Sequence, residues 1–328
     1  MKKIRRLIIL CLFSFCVIFT TGKSVFAEET TIYLGGMPAG FYLETRGAYV
    51  VGLCDVITEN GLISPSKEQG IEVGDKILFI NNVEINNADD IEKAIRDGDE
   101  KNVIIERKGK RESFTVKPAL DVNKKPRLGV FIREGINGIG TITYIKNDEF
   151  AALGHPVLDD DGNILNVIDG KIYDCNITSY VKGERGKPGE LRGVFVRRFE
   201  KGIISKNTEN GVYGKLNKID KSKLTVITTG EAKAGNAYIL TTIEGFEPKK
   251  YSISIVKCDE DERIKNYVIK VTDENLLKTT GGIVQGMSGS PIIQNNKLVG
   301  AVTHVFVNDP SRGFGISVNN MLKKLITL

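Results

Sequence analysis

Ser288 stands in the run Gly286-Met287-Ser288-Gly289-Ser290-Pro291, a hydroxyl flanked by glycines. A serine becomes a nucleophile when a tight turn exposes its Oγ to a base while main-chain N–H groups face the oxyanion that develops on the substrate. The glycines permit that turn. Ser290 is a rival hydroxyl in the same run. The chain has two histidines, so the general base is His155 or His304. Asp159, Asp160, Asp161, Asp174, Asp220, Asp259, Asp261 and Asp273 are all available to orient an imidazole, and spacing does not choose among them. The chemistry these residue types imply is acyl transfer, with a histidine taking the serine proton and returning it to the leaving group. There is no Gly-x-x-x-x-Gly-Lys-Ser/Thr loop and no His-Glu-x-x-His helix, and the three spaced cysteines Cys54, Cys175 and Cys258 make no zinc cluster. No metal and no cofactor are therefore expected. The Gly-x-Ser-x-Gly elbow of the α/β hydrolases is absent as well.

Positioning such a turn requires rigid elements on both sides of it. Over the second half of the chain, short β-type runs recur at Ile139–Ile145, Leu224–Thr228, Asn236–Ile243, Ser252–Val256, Tyr267–Val271, Pro291–Ile293 and Leu298–Val305, separated by turn residues. One helix is expected at the end, with Met321, Leu322, Leu325 and Ile326 on one face. This pattern predicts a pair of antiparallel barrels and excludes a βαβ fold. Ahead of it, runs at Ala48–Leu53, Lys76–Ile80, Asn102–Arg107 and Ser113–Val116 surround one helical stretch, Ala88–Arg96, and predict a small α+β module. The polar, proline-bounded segment Pro118–Pro126 separates the two regions.

The amino terminus carries Lys2, Lys3, Arg5 and Arg6, an apolar run from Leu7 to Phe19, and a small-residue site ending at Ala27. This pattern predicts a signal peptide or N-terminal anchor over residues 1–27, and export of the body across the cytoplasmic membrane. Five of the 46 basic residues lie in that segment, which holds no acid, so the rest of the chain balances 41 basic against 41 acidic residues. A neutral body without a basic stripe excludes nucleic acid as an expected partner.

The first module resembles a circularly permuted bacterial PDZ domain through Gly70-Ile71-Glu72-Val73-Gly74-Asp75-Lys76-Ile77-Leu78 and Ile80-Asn81, which gives it the span 35–120. In that family a glycine turn holds a peptide's terminal carboxylate and the next strand pairs with the peptide. The resemblance implies Gly40, Phe41 and Tyr42 as peptide-binding residues, after Pro38-Ala39.

The second region, 126–328, resembles a trypsin-like double barrel. Its serine run is similar to the Gly-x-Ser-Gly-Gly-Pro motif of that fold, with Ser290 in place of a glycine, and implies the N–H groups of Gly286 and Ser288 as the oxyanion hole. Phe150-Ala151-Ala152-Leu153-Gly154-His155 resembles the Ala-His turn, so His155 is the base and His304 lines the pocket. More specifically, Leu128-Gly129-Val130, Gly138-Ile139-Gly140-Thr141, Val271-Thr272-Asp273, Thr280 to Pro291 and Gly300 to Pro310 resemble the SpoIVB peptidases, the stage IV sporulation protein B family. That resemblance implies a triad of His155, Asp273 and Ser288, and a serine endopeptidase that cleaves itself. Its other expected partner is a protein substrate, a membrane-associated sporulation regulator, met in the intermembrane space of the forespore. An inactive exported PDZ scaffold that binds peptide C-termini is the alternative.

Overall fold

The computed structural model describes residues 30–159, 162–259 and 261–325; the expected signal segment, Asp160, Asp161 and Ile326 lie outside them. Among the described residues no helix is long and apolar enough to cross a membrane.

The peptidase region is built from two closed six-stranded barrels. In the first, the N-terminal half of Pro38–Leu53 pairs with the C-terminal half of Val130–Lys146. The ring then runs through Glu149–Ala152, Gly211–Leu216, Gly202–Thr208 and Gly170–Val181, and returns to Pro38–Leu53. The second runs Gly235–Thr241, Lys249–Cys258, Tyr267–Val271, Asp309–Ser317, Lys297–Phe306 and Pro291–Gln294, closing on Gly235–Thr241. Closure leaves neither ring with an open edge, so every strand satisfies its main-chain groups laterally. Alternate residues point inward and fill each barrel: Phe41, Leu43, Ile142, Phe150 and Ile172 in the first, Ile239, Ile253, Ile269, Ile292 and Val302 in the second. A third apolar layer, which includes Ile32, Tyr144, Tyr213 and Leu298, packs under the C-terminal helix Val318–Leu325 through Met321, Leu322 and Leu325.

The PDZ-like module has its own core of Ile71, Ile77, Ile80, Ile91, Ile95 and Ile105. Its one longer helix is Ala88–Ala94, whose N-cap Asn87 accepts from the Asp90 N–H. The Gly-Asp-Lys signature has a physical reason. Asp75 is 1% exposed, and Arg107 grips it with Nε at 2.6 Å and Nη2 at 2.7 Å, a bidentate pair that neutralises the buried carboxylate.

The modules do not follow one another along the chain as the proline-bounded segment suggests. The first half of Pro38–Leu53 belongs to the first barrel, with Thr31–Leu34 ahead of it pairing with the end of Val130–Lys146, and the same long strand then continues into the PDZ-like module, where it pairs with Lys76–Ile80. Val130–Lys146 makes the return crossing beside it. The PDZ-like module is thus an insertion in the first barrel. At the crossing, Thr45 is buried and its hydroxyl donates to the Gly47 and Glu134 carbonyls. Two short helices not expected from the sequence also occur, Pro65–Glu68 and Glu274–Thr280.

Candidate active site

The serine turn comes from the second barrel and is held by the first. Thr141 donates its N–H to the Ser288 carbonyl at 2.9 Å and its hydroxyl to the Gly286 carbonyl at 3.2 Å, while the Thr143 hydroxyl donates to the Gly289 carbonyl at 2.8 Å. Gly289 has φ +92, and a Cβ there would stand 2.1 Å from the Thr141 carbonyl oxygen, so only glycine fits. Ser288 is half-buried and reachable. Ser290 is fully buried with an unpartnered hydroxyl, which removes it as a nucleophile. The N–H groups of Gly286 and Ser288 have no acceptor within the described residues, the state required of donors reserved for an oxyanion.

His155 follows two successive left-handed residues, Leu153 (φ +67) and Gly154 (φ +70), at the end of Glu149–Ala152. A non-glycine residue in that region is strained, and here the Leu153 N–H to Thr141 carbonyl bond holds it. The His155 Nδ1 lies 2.8 Å from the Pro156 carbonyl. Because a carbonyl only accepts, Nδ1 carries the proton and Nε2 is the basic nitrogen. Burial pushes the His155 pKa below the ordinary histidine value, partly opposed by the Pro156 carbonyl. The ring is therefore neutral, and able to accept a proton, at pH 7.

Ser288, His155, Gly286 and His304 share one cavity of about 450 Å³, with apolar walls that include Ile139, Val284 and Val305. The His304 ring lies 4.8 Å from that of His155, centroid to centroid, tilted by 40°. Its outer edge is exposed, yet partial desolvation, with repulsion from His155 and Lys265, holds its pKa down to about 4. The Ser288 hydroxyl donates to the Thr303 carbonyl at 2.7 Å.

Asp273 is not brought to this cavity. Its side chain caps the helix Glu274–Thr280 by accepting from the Leu276 N–H at 3.0 Å, and its second oxygen accepts from the Ser252 N–H at 3.3 Å. A carboxylate at a helix N-terminus is stabilised by the main-chain donors there.

The residues expected to bind peptide, Gly40, Phe41 and Tyr42, also lie elsewhere. They sit inside Pro38–Leu53, paired on one side with Asn137–Ile139 and on the other with Lys171–Tyr173, and Phe41 is buried in the first-barrel core. With both neighbours in place, this stretch has no edge to offer a peptide. The groove of the PDZ-like module is formed instead between Val130–Ile132 and the helix Ala88–Ala94, a cavity of about 380 Å³ lined by Ile91, Ile95, Leu128, Gly129, Val130 and Ile132. Gly129 has φ +72 at its mouth. The signal was present as Leu128-Gly129-Val130, a stretch placed above with the peptidase region.

Comparison with known proteins finds two family models along the chain. A PDZ domain model matches residues 39–117. None of the curated proteins matches the chain. Among solved structures, the chain is similar to the Rv3671c protease in its inactive form (14% identity, 58% of this chain and 83% of that one, TM-score 0.34). The active form of Rv3671c from M. tuberculosis also matches (15% identity, 58% and 74%, TM-score 0.35). The model of the SpoIVB peptidases S55 matches residues 124–322, more than half of the chain, and the protein belongs to that family of serine peptidases.

Proposed function

We propose that this peptidase is an exported endopeptidase that cleaves itself near its N-terminus and cuts a membrane-associated regulatory protein in an intercompartmental sporulation signal. The observation that carries the catalytic part is the convergence of Ser288, His155 and two unpartnered N–H groups on one apolar-walled cavity. In the reaction, Ser288 Oγ turns from the Thr303 carbonyl to the His155 Nε2, gives up its proton and attacks the scissile carbonyl. The oxyanion is received by the Gly286 and Ser288 N–H groups, and His155 returns the proton to the leaving amine. The freed Thr303 carbonyl is then an acceptor for a substrate N–H. The apolar groove of the PDZ-like module, with its glycine turn, suits a peptide C-terminus. Export and sporulation signalling rest on the N-terminal sequence pattern and the family.

The test is cleavage of an unfolded protein and of the chain's own N-terminal segment by the purified protein, with Ser288→Ala and Ser290→Ala beside it. Loss of both cleavages in Ser288→Ala alone is expected. A folded wild-type protein that cleaves nothing yet binds C-terminal peptides would favour the inactive scaffold.

A further inference from the structure

Three features fix where the acyl residue of a bound substrate must lie. Its carbonyl carbon meets Ser288 Oγ, its carbonyl oxygen takes the Gly286 and Ser288 N–H groups, and its own N–H reaches the Thr303 carbonyl. The Cα of that residue then sits between Gly286 and Thr303. Its side chain is directed between the two stretches that adjoin them, Ile283, Val284 and Gln285 on one side and His304 and Val305 on the other, all of which line the cavity.

These walls are largely hydrocarbon and firmly held. The Ile283 N–H donates to the Pro310 carbonyl and the Gln285 N–H to the Gly189 carbonyl, each at 2.8 Å, so the stretch is pinned at both ends. Val284 leans on Gly189, where a Cβ would stand 2.7 Å from the valine Cγ1. Ile283 is 2% exposed, and its Cδ1 would lie 2.8 Å from a Cβ at Gly313, the residue paired with Val305 on the next strand. The space that a glycine leaves in front of its strand is therefore taken up by Ile283, which closes the far end of the pocket.

We propose that this part of the cavity receives the side chain on the acyl side of the scissile bond, that it selects a short branched apolar residue such as valine or leucine, and that Ile283 sets its depth. This inference rests on the serine-peptidase reading and deepens it by naming the peptide class. A charged side chain entering here gives up its water and meets methyl groups in exchange. An aromatic ring runs into Ile283, and alanine forgoes the apolar contact of each missing carbon.

The test is a series of internally quenched peptides that differ only at the acyl position (Ala, Val, Leu, Phe, Lys or Asp), cleaved by the full chain. C-terminal amides keep the groove of the PDZ-like module out of the readout. The wild type should give its highest kcat/KM with Val or Leu, about tenfold less with Ala or Phe, and at least about a hundredfold less with Lys or Asp. Ile283→Ala deepens the pocket, so the ratio of kcat/KM for Phe over Val should rise about tenfold or more, while Ile283→Val keeps the wild-type order. Peptide boronates carrying the same side chains give a readout without turnover, since the boron-11 shift of a tetrahedral adduct on Ser288 should form most tightly with Val and Leu whether or not Ile283→Ala folds. Equal kcat/KM across the series, a preference for Lys or Asp, or a folded Ile283→Ala protein with an unchanged Phe-to-Val ratio overturns the proposal and leaves the protease reading standing. A folded wild type that cleaves no peptide and forms no boronate adduct overturns the protease reading, and the pocket with it.

Discussion

The Thr141 main-chain N–H donates to the Ser288 carbonyl at 2.9 Å, so the nucleophile from one barrel is registered directly on a strand of the other. Thr143 reinforces it from two residues on, with its hydroxyl on the Gly289 carbonyl. Thr143 is fully buried. The Thr143→Val variant keeps the shape and deletes the donor, leaving a buried carbonyl short of a partner at a cost of about 1–3 kcal/mol. Urea unfolding should show that loss, and kcat should fall about tenfold because the turn it steadies carries the nucleophile.

Gly289 and Gly74 separate conformational strain from collision. Both have left-handed φ, +92 and +98, but a Cβ at Gly289 meets the Thr141 carbonyl oxygen at 2.1 Å, whereas at Gly74 nothing lies within 4 Å. Gly74→Ala should cost about 1–2 kcal/mol of stability and leave kcat unchanged. Gly289→Ala should abolish turnover, since the two barrels must part or the serine turn must move. Comparing thermal midpoints and burst kinetics of the two variants decides the matter; equal activity would show that the turn is far softer than its contacts imply.

Phe41 distinguishes the two placements of the peptide site. Buried in the first barrel, it should cost about 3–5 kcal/mol on truncation to alanine. Fluorescence anisotropy with C-terminal peptides should instead respond to Ile91→Asp in the groove of the PDZ-like module, with loss of binding and retained cleavage of an unfolded substrate.

Acid sensitivity follows from the two imidazoles. Both are held below the ordinary histidine value, chiefly by desolvation, so the unfolded chain binds protons that the folded chain refuses. Their contribution is complete above pH about 6.5 and is lost as the pH falls toward the folded values, about 4 for His304. Urea midpoints measured from pH 7.5 to 4.5 should decline over that window, and His304→Gln should flatten the decline. A midpoint independent of pH in both proteins would contradict the burial of these rings.

Much of this arrangement was legible in the sequence. A short strand with strong inward alternation such as Tyr267–Val271 read correctly because the second barrel buries one side of it. Glycine is legible at Gly154 and Gly289 because both have left-handed backbone. The contact at His155 Nδ1 was not legible, since it is made by the Pro156 main-chain carbonyl, which no residue type announces. Asp273 carries a readable meaning of another kind, an aspartate directly before the helical run Glu274–Thr280. Gly40, Phe41 and Tyr42 lie in the first barrel and not in the PDZ-like module because Pro38–Leu53 serves both in one unbroken strand, and a strand's pattern does not reveal which partner lies beside each half.

That shared strand bears on what proteolysis can do to this protein. The chain enters the PDZ-like module along Pro38–Leu53 and leaves it along Val130–Lys146, side by side, with the catalytic barrel closed on both. A single cut in any of the module's loops cannot release it, because each fragment stays woven into the barrel. Shedding the module requires two cuts, one in each of the two crossing strands, so a nicked enzyme keeps its PDZ-like arm attached to its active site.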